Sequence, residues 1–144
     1  MSQLGQVFAF HALTHGGLGL LLIFAPQLLD DFLPLANGTA TLLARAYGAG
    51  LLGPSVGSLI CSTLPDMLPC KRATGLGLMV YHALISYLAF QARKDKALPY
   101  MVATLVMIFH LVLLFAFYLW YKVSEGQVKS YTKKQKAEGA VKKH

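Results

Sequence analysis

Four of the five histidines in this 144-residue chain lie within long apolar runs: His11, His15, His82 and His110. His11 and His15 are four residues apart, so they share a face if their run is helical. Neutral imidazole is the commonest metal ligand in proteins, and it also donates and accepts hydrogen bonds. These side chains are therefore candidates for a ligand site or for hydrogen bonds between helices.

Counting from the ends of each run places His15, His82 and His110 at about the same depth. Ionisable residues at mid-membrane depth are costly and usually face the interior of a helix bundle. Arg45 is the only arginine within an apolar run. If these residues line a polar ligand pocket, its candidates are His15, Arg45, His82 and His110.

Three interpretations of the histidines stay open: neutral side chains that hydrogen-bond between helices, a polar ligand pocket or proton relay, and a metal or haem site. The first is favoured, because no H-E-x-x-H motif and no Cys/His cluster accompanies them. We therefore predict no metal and no cofactor. For Arg45, an ion pair with Asp30 or Asp31 is favoured over contact with an anion or a lipid headgroup.

No recognisable catalytic set accompanies these residues. Every carboxylate falls outside the apolar runs, and the chain has no paired carboxylates, no Ser/His/Asp set and no phosphate-binding loop. In-membrane acid–base chemistry would have to depend on histidine alone. The sequence therefore favours a protein that is not an enzyme.

The apolar runs that carry the histidines indicate a membrane protein. Hydrophobic residues make up 56% of the chain and charged residues 13%, against about 45–50% and about 25% in soluble domains. Each run is close to the ~20 residues that a membrane-crossing helix needs. The runs span about residues 7–29, 41–61, 73–92 and 99–123.

The predicted fold class is all-α: a polytopic membrane protein with four transmembrane helices in an antiparallel bundle. The bundle takes residues 1–123, and residues 124–144 form a basic, mobile cytoplasmic tail. In the second run, Gly50, Gly53 and Gly57 recur at helical spacing, which predicts a side where a neighbouring helix approaches closely. Asn37 heads an N-x-T sequon in the first loop and is a candidate glycosylation site.

The positive charge is unevenly placed. The formal net charge is +7, and seven of the thirteen Lys/Arg lie from Lys122 onward. With the second loop, the tail outweighs the opposite side, so the positive-inside rule predicts that both termini are cytoplasmic. The tail lysines predict contact with anionic lipid, and no nucleic-acid partner is expected. They are Lys129, Lys133, Lys134, Lys136, Lys142 and Lys143.

Two stretches resemble known families. The second run opens with Leu43-Ala44-Arg45-Ala46-Tyr47-Gly48, which resembles the ergosterol-biosynthesis scaffold family, where Ala-Arg-Thr-Phe-Gly stands at a similar place. The following Ala49-Gly50-Leu51-Leu52 departs from that family's tryptophan-containing continuation. The Gly/Leu-rich first run, closed by Pro26, is similar to helix one of the DoxX-like group. The first resemblance implies a non-catalytic scaffold of the endoplasmic reticulum that gathers lipid-modifying enzymes; the second implies association with a membrane oxidoreductase.

The leading hypothesis is a non-catalytic accessory or scaffold protein of an internal membrane, as a small subunit of a lipid- or sterol-metabolising or respiratory complex. Its expected partners are membrane lipids and a larger membrane protein. The expected location is the endoplasmic reticulum, with the mitochondrial membrane as the alternative. The competing hypothesis is a small membrane enzyme, or a lipid- or haem-binding protein, with an intramembrane histidine-lined pocket.

Overall fold

The computed structural model describes residues 5–33, 35 and 37–141, with side chains described as far as residue 136. Within these residues the chain is all-helical and contains no strand, so the predicted fold class is confirmed at that level. A short 3₁₀ helix, Pro26–Leu29, follows the first helix. The four α-helices are α1 (Gln6–Phe24), α2 (Gly38–Thr63), α3 (Pro69–Lys94) and α4 (Tyr100–Val141).

The helix boundaries follow from local chemistry. Asn37 caps α2, because its side-chain oxygen accepts a hydrogen bond of 2.8 Å from the backbone N–H of Ala40. Pro69 occupies the first turn of α3, where its missing N–H costs nothing. Pro26 comes just after α1 ends. The glycosylation of Asn37 stays a prediction, while its side chain has a structural role as a helix cap.

Two antiparallel hairpins form the bundle. α1 packs mainly on α2 and α3 mainly on α4, and fewer contacts join the two pairs. In the first hairpin His11 meets Ser58 while Gly19 meets Gly48, so the two chains run in opposite directions.

α1 and α2 approach each other closely at Gly19 and Gly48. A Cβ atom added to Gly48 would lie 2.7 Å from the carbonyl oxygen of Gly19, so only glycine permits this approach. The predicted packing side of Gly50, Gly53 and Gly57 needs correction, since a Cβ atom at any of these three positions would meet nothing within 4 Å. α2 turns its Gly48 and Ser55 side toward α1 instead.

Three of the helices, α1, α3 and α4, are long and apolar enough to cross a membrane. α2 is long enough, but its glycines, serines and Arg45 lower its hydropathy. The bundle exposes large apolar side chains, such as Leu13 at 73% and Phe24 at 75%, while it buries serines and histidines. This arrangement is typical of a protein surrounded by lipid.

α4 continues as one helix from Tyr100 to Val141. The predicted boundary between bundle and tail at residue 123 is therefore not a break in secondary structure. Ion pairs of Glu125 with Lys122 (3.6 Å) and Lys129 (2.8 Å), one turn apart, suit a helix surface. Lys142 and Lys143 lie outside the described residues, and the mobility of the tail stays a prediction.

Candidate functional site

Four imidazoles from three helices pack together in the middle of the bundle. The rings of His11 and His15, one turn apart on α1, stack with centroids 4.2 Å apart. His82 of α3 lies 5.2 Å from His11 and 5.3 Å from His15. His110 of α4 lies 5.0 Å from His82 and 5.4 Å from His15. We call this group the histidine cluster.

The histidine cluster is shielded from the surroundings. His11 and His82 are 0% exposed, His15 is 3% and His110 is 6% exposed. Aromatic rings surround it, with Phe117 stacked on His82 at 5.7 Å. The other rings in contact are Tyr81 and Phe109. Such an environment makes an unpaired polar atom costly.

Three of the histidines use Nδ1 in the same way. His11 Nδ1 lies 2.8 Å from the Ser58 hydroxyl, and His15 Nδ1 lies 3.3 Å from the Thr14 hydroxyl. His82 Nδ1 lies 2.8 Å from Nδ1 of His110. Each Nδ1 therefore has a partner that can fix the ring's orientation.

The Nε2 atoms of His11 and His82 have no such hydrogen-bond partner among the described residues. Both atoms are buried. If His11 and His82 carry their protons on Nδ1 and donate them to Ser58 and His110, both Nε2 atoms hold a free lone pair. A lone pair on Nε2, with Nδ1–H held by a neighbour, is the usual state of a metal-bound histidine.

A metal ion fits this group of side chains only after the three rings move closer together. One ring nitrogen from each of His11, His15 and His82 lies within 4.8 Å of the others. A zinc–nitrogen bond is about 2.0–2.1 Å long, so two ligands of one ion are at most about 4.2 Å apart. Closing the three rings around an ion requires side-chain shifts on the order of 1 Å.

A haem or a lipid headgroup does not fit between these rings. His82 and His110 meet directly through nitrogens 2.8 Å apart. His11 and His15 stack face to face at a centroid distance of 4.2 Å. A flat macrocycle or a headgroup would have to separate helices that are in contact here, whereas a single ion would not.

Arg45 does not belong to the site. Its side chain is exposed, and it makes no ion pair with Asp30 or Asp31 among the described residues. Arg45 precedes Ser58, the α2 residue that touches the cluster, by 13 positions, or about 20 Å along the helix axis at about 1.5 Å per residue. Arg45 therefore lies near the end of the bundle. The prediction that it lines a pocket with the histidines is wrong.

The structure brings His15, His82 and His110 together and adds two residues that the predicted site omitted. His11 was marked by its four-residue spacing from His15, which puts both imidazoles on one side of α1. Ser58 carried no comparable signal, because serines recur along α2 on more than one side. No short motif announces the group, since its members are spread from residue 11 to residue 110.

Comparisons with protein-family models, with curated proteins and with solved structures find no match for this chain. The site is therefore interpreted from its own geometry.

Proposed function

We propose that this chain is a multi-pass membrane protein that binds a transition-metal ion, zinc or copper, in its histidine cluster. One observation carries the proposal: a ring nitrogen from each of His11, His15 and His82 lies close to the others, and the Nε2 atoms of His11 and His82 are buried and make no hydrogen bond among the described residues. Imidazole is a suitable ligand for both ions. His11, His15 and His82 are the proposed ligands.

His110 has a supporting role in this proposal. If Nδ1 of His110 accepts the Nδ1 proton of His82, Nε2 of His82 is left with a lone pair that can bind the ion. Ser58 does the same for His11. Loss of such a supporting partner commonly lowers metal affinity about 10–100-fold.

Zinc(II) and copper(I) differ in charge, and the charge decides how costly each ion is to bury. Three neutral imidazoles leave the whole charge of the ion uncompensated in a low-dielectric interior. Copper(I), with a single charge, is therefore less costly to bury than zinc(II) unless an anion completes the zinc site. Titration of metal-free protein with both ions decides between them.

The test uses the full chain purified in detergent and stripped with a chelator. We expect one ion bound per chain and a higher melting temperature with metal, since a ligand at 100 times its Kd stabilises the native state by about 2.7 kcal/mol. Binding should weaken as the pH falls, because protonated imidazole has no lone pair to offer. X-ray absorption spectra of the bound ion should show that the nitrogen ligands come from imidazole rings.

Matched variants make the result specific. His82→Gln should abolish binding, and His110→Gln should weaken it about 10–100-fold. Ser86→Ala is the control, because the Ser86 hydroxyl donates to the backbone oxygen of His82 and leaves the imidazole untouched. If the wild type binds no metal and neither ion changes its melting temperature, the histidine cluster serves only to form hydrogen bonds between helices.

The scaffold hypothesis stays a prediction, as do the endoplasmic reticulum, the lipid and protein partners, and the cytoplasmic termini. The proposal includes α2 as a fourth span, which its length and its packing along α1 support. Protease protection in intact microsomes tests the orientation. A C-terminal tag that survives protease without detergent would contradict cytoplasmic termini.

A further inference from the structure

A second polar region lies at the end of the bundle where α1 and α3 finish and α4 begins. It is a cavity of about 680 Å³, and it is independent of the histidine cluster. Asp30 and Asp31 line it from the turn after the 3₁₀ helix. Arg93 and Lys96 line it from the end of α3 and the loop that follows. We call it the end cavity.

The opposite charges of the end cavity are not in direct contact. Neither Asp30 nor Asp31 forms an ion pair with Arg93 or Lys96 among the residues that the structure describes. All four nevertheless line the same space. A ligand that enters can therefore meet a negative group on one wall and a positive group on the other.

Arg93 lies close to two aromatic rings. Its guanidinium lies 5.1 Å from the ring centroid of Tyr100 and 5.8 Å from that of Phe90. A cation–π contact attracts the guanidinium to the ring and does not use its N–H groups, which can still donate hydrogen bonds. Its planar donor set suits a phosphate.

The apolar rim of the end cavity suits a lipid. Phe32 is 55% exposed and Tyr100 is 65% exposed, and both line the cavity. Aromatic side chains concentrate at membrane–water interfaces, where headgroups meet acyl chains. The outward surface of α4 continues from there with exposed apolar residues such as Met101 and Leu105.

We infer that the end cavity binds the headgroup of a zwitterionic phospholipid. The phosphate lies against Arg93 and Lys96, the ammonium group lies against Asp30 and Asp31, and the acyl chains follow the apolar surface of α4. An anionic lipid would bring its phosphate to Arg93 and Lys96 but would have no ammonium group to place against Asp30 and Asp31. The site therefore selects a ligand that carries both charges.

Native mass spectrometry of the full-length protein tests this inference. The protein is offered an equal mixture of phosphatidylethanolamine, phosphatidylcholine and phosphatidylglycerol, and the retained lipids are counted. The wild type should retain the two zwitterionic lipids in preference to phosphatidylglycerol. Arg93→Gln should lower that retention about tenfold, the effect of one charge-assisted hydrogen bond. Lys94→Gln, an exposed neighbour that does not line the cavity, should retain the wild-type level.

The double variant Asp30→Asn/Asp31→Asn gives a result that misfolding cannot imitate. Without the carboxylates, the preference should move toward phosphatidylglycerol while retention itself persists. A soluble headgroup, glycerophosphoethanolamine, separates the two sources of this chemistry. If it binds as tightly as the lipid, the ligand is a soluble phosphodiester and the lipid assignment is wrong. If the wild type and both cavity variants retain the same lipids in the same proportions, the inference is overturned.

Discussion

The two kinds of helix contact in this bundle differ in their chemistry. Within the first hairpin, α1 and α2 meet through backbone at Gly19 and Gly48, and the His11–Ser58 hydrogen bond joins them farther along. Between the hairpins, side chains make the contact. That seam contains the histidine cluster in its middle and, toward one end, the aromatic group of Phe8, Phe117 and Trp120.

A buried ion pair closes the same end of the seam. Lys71 is 1% exposed and lies 2.8 Å from Asp66, and it also donates a 2.8 Å hydrogen bond to the backbone oxygen of Leu64. Trp120 donates to the same carboxylate at 3.1 Å. The Lys71 ammonium also lies 5.1 Å from the ring centroid of Phe8. Three helices and a loop are joined there.

The comparison shows two solutions to one problem. In lipid, burying apolar surface does not drive helices together, so association depends on close packing and on hydrogen bonds. The glycine contact depends on close backbone packing and provides no side chain that could bind a ligand. The seam uses polar side chains, and its unpartnered nitrogens give it binding capacity. Substitutions should therefore affect folding in the first region and both folding and binding in the second.

The largest expected effect comes from Gly48→Leu. Overpacking commonly costs about 1–3 kcal/mol where side chains can move aside, but here the obstacle is the Gly19 carbonyl, 2.7 Å from the new Cβ. We expect the peak of folded protein to be lost in size-exclusion chromatography. Gly53→Leu is the matched control, and it should leave that peak intact, because a Cβ at Gly53 meets nothing within 4 Å. Equal behaviour of the two variants would refute the assigned packing side.

Lys71→Ala should have the next largest effect. Removing one partner of a buried ion pair leaves the other charge unpaired, at a cost of about 3–5 kcal/mol. We expect about 3 kcal/mol, the lower end of that range, because Asp66 keeps its Trp120 hydrogen bond. Thermal unfolding in detergent measures the loss.

The fluorescence of Trp120, the chain's single tryptophan, gives a second readout beside Asp66. Its emission should change in Lys71→Ala and stay constant in Lys94→Ala, whose side chain is exposed at the other end of α3. A Lys71→Ala protein with wild-type melting and emission would show that the ion pair does not hold the hairpins together.

Ser58→Ala should have the smallest effect on stability. It removes one hydrogen bond across helices, worth about 0.6 kcal/mol on average in membranes. Ser55→Ala is the control, since the Ser55 hydroxyl donates only to Leu51 of its own helix. The two variants should melt within a degree or so of each other, yet only Ser58→Ala should weaken metal binding. If both variants bind metal like the wild type, Ser58 does not position His11.

Several features of this chain could be predicted from the sequence. The apolar runs predicted four helices, because a segment in lipid must satisfy its backbone hydrogen bonds internally. The spacing of His11 and His15 placed both on one side of α1. Polar side chains in such runs face inward, since lipid offers them no partner. Together these arguments bring His15, His82 and His110 to one depth.

The tertiary structure alone decided which side of α2 faces α1. In water the apolar side of a helix faces the protein interior. In lipid either side of α2 can face the surroundings, so the composition of α2 does not show whether Gly48 or Gly53 contacts α1. Arg45 and Lys71 show the same limit for charges. Arg45, within an apolar run, is exposed at the bundle's end, whereas Lys71, beside a loop, is buried against Asp66.

The chemistry of the histidine cluster likewise depended on the fold. The sequence by itself determined that imidazoles would meet inside a helical bundle, because their cost in lipid drives them inward. It did not determine that Nδ1 of His11 would meet Ser58 while Nε2 stays free. That outcome depends on the rotation of each helix about its own axis. Contacts between residues tens of positions apart set those rotations, and only the packed bundle contains them.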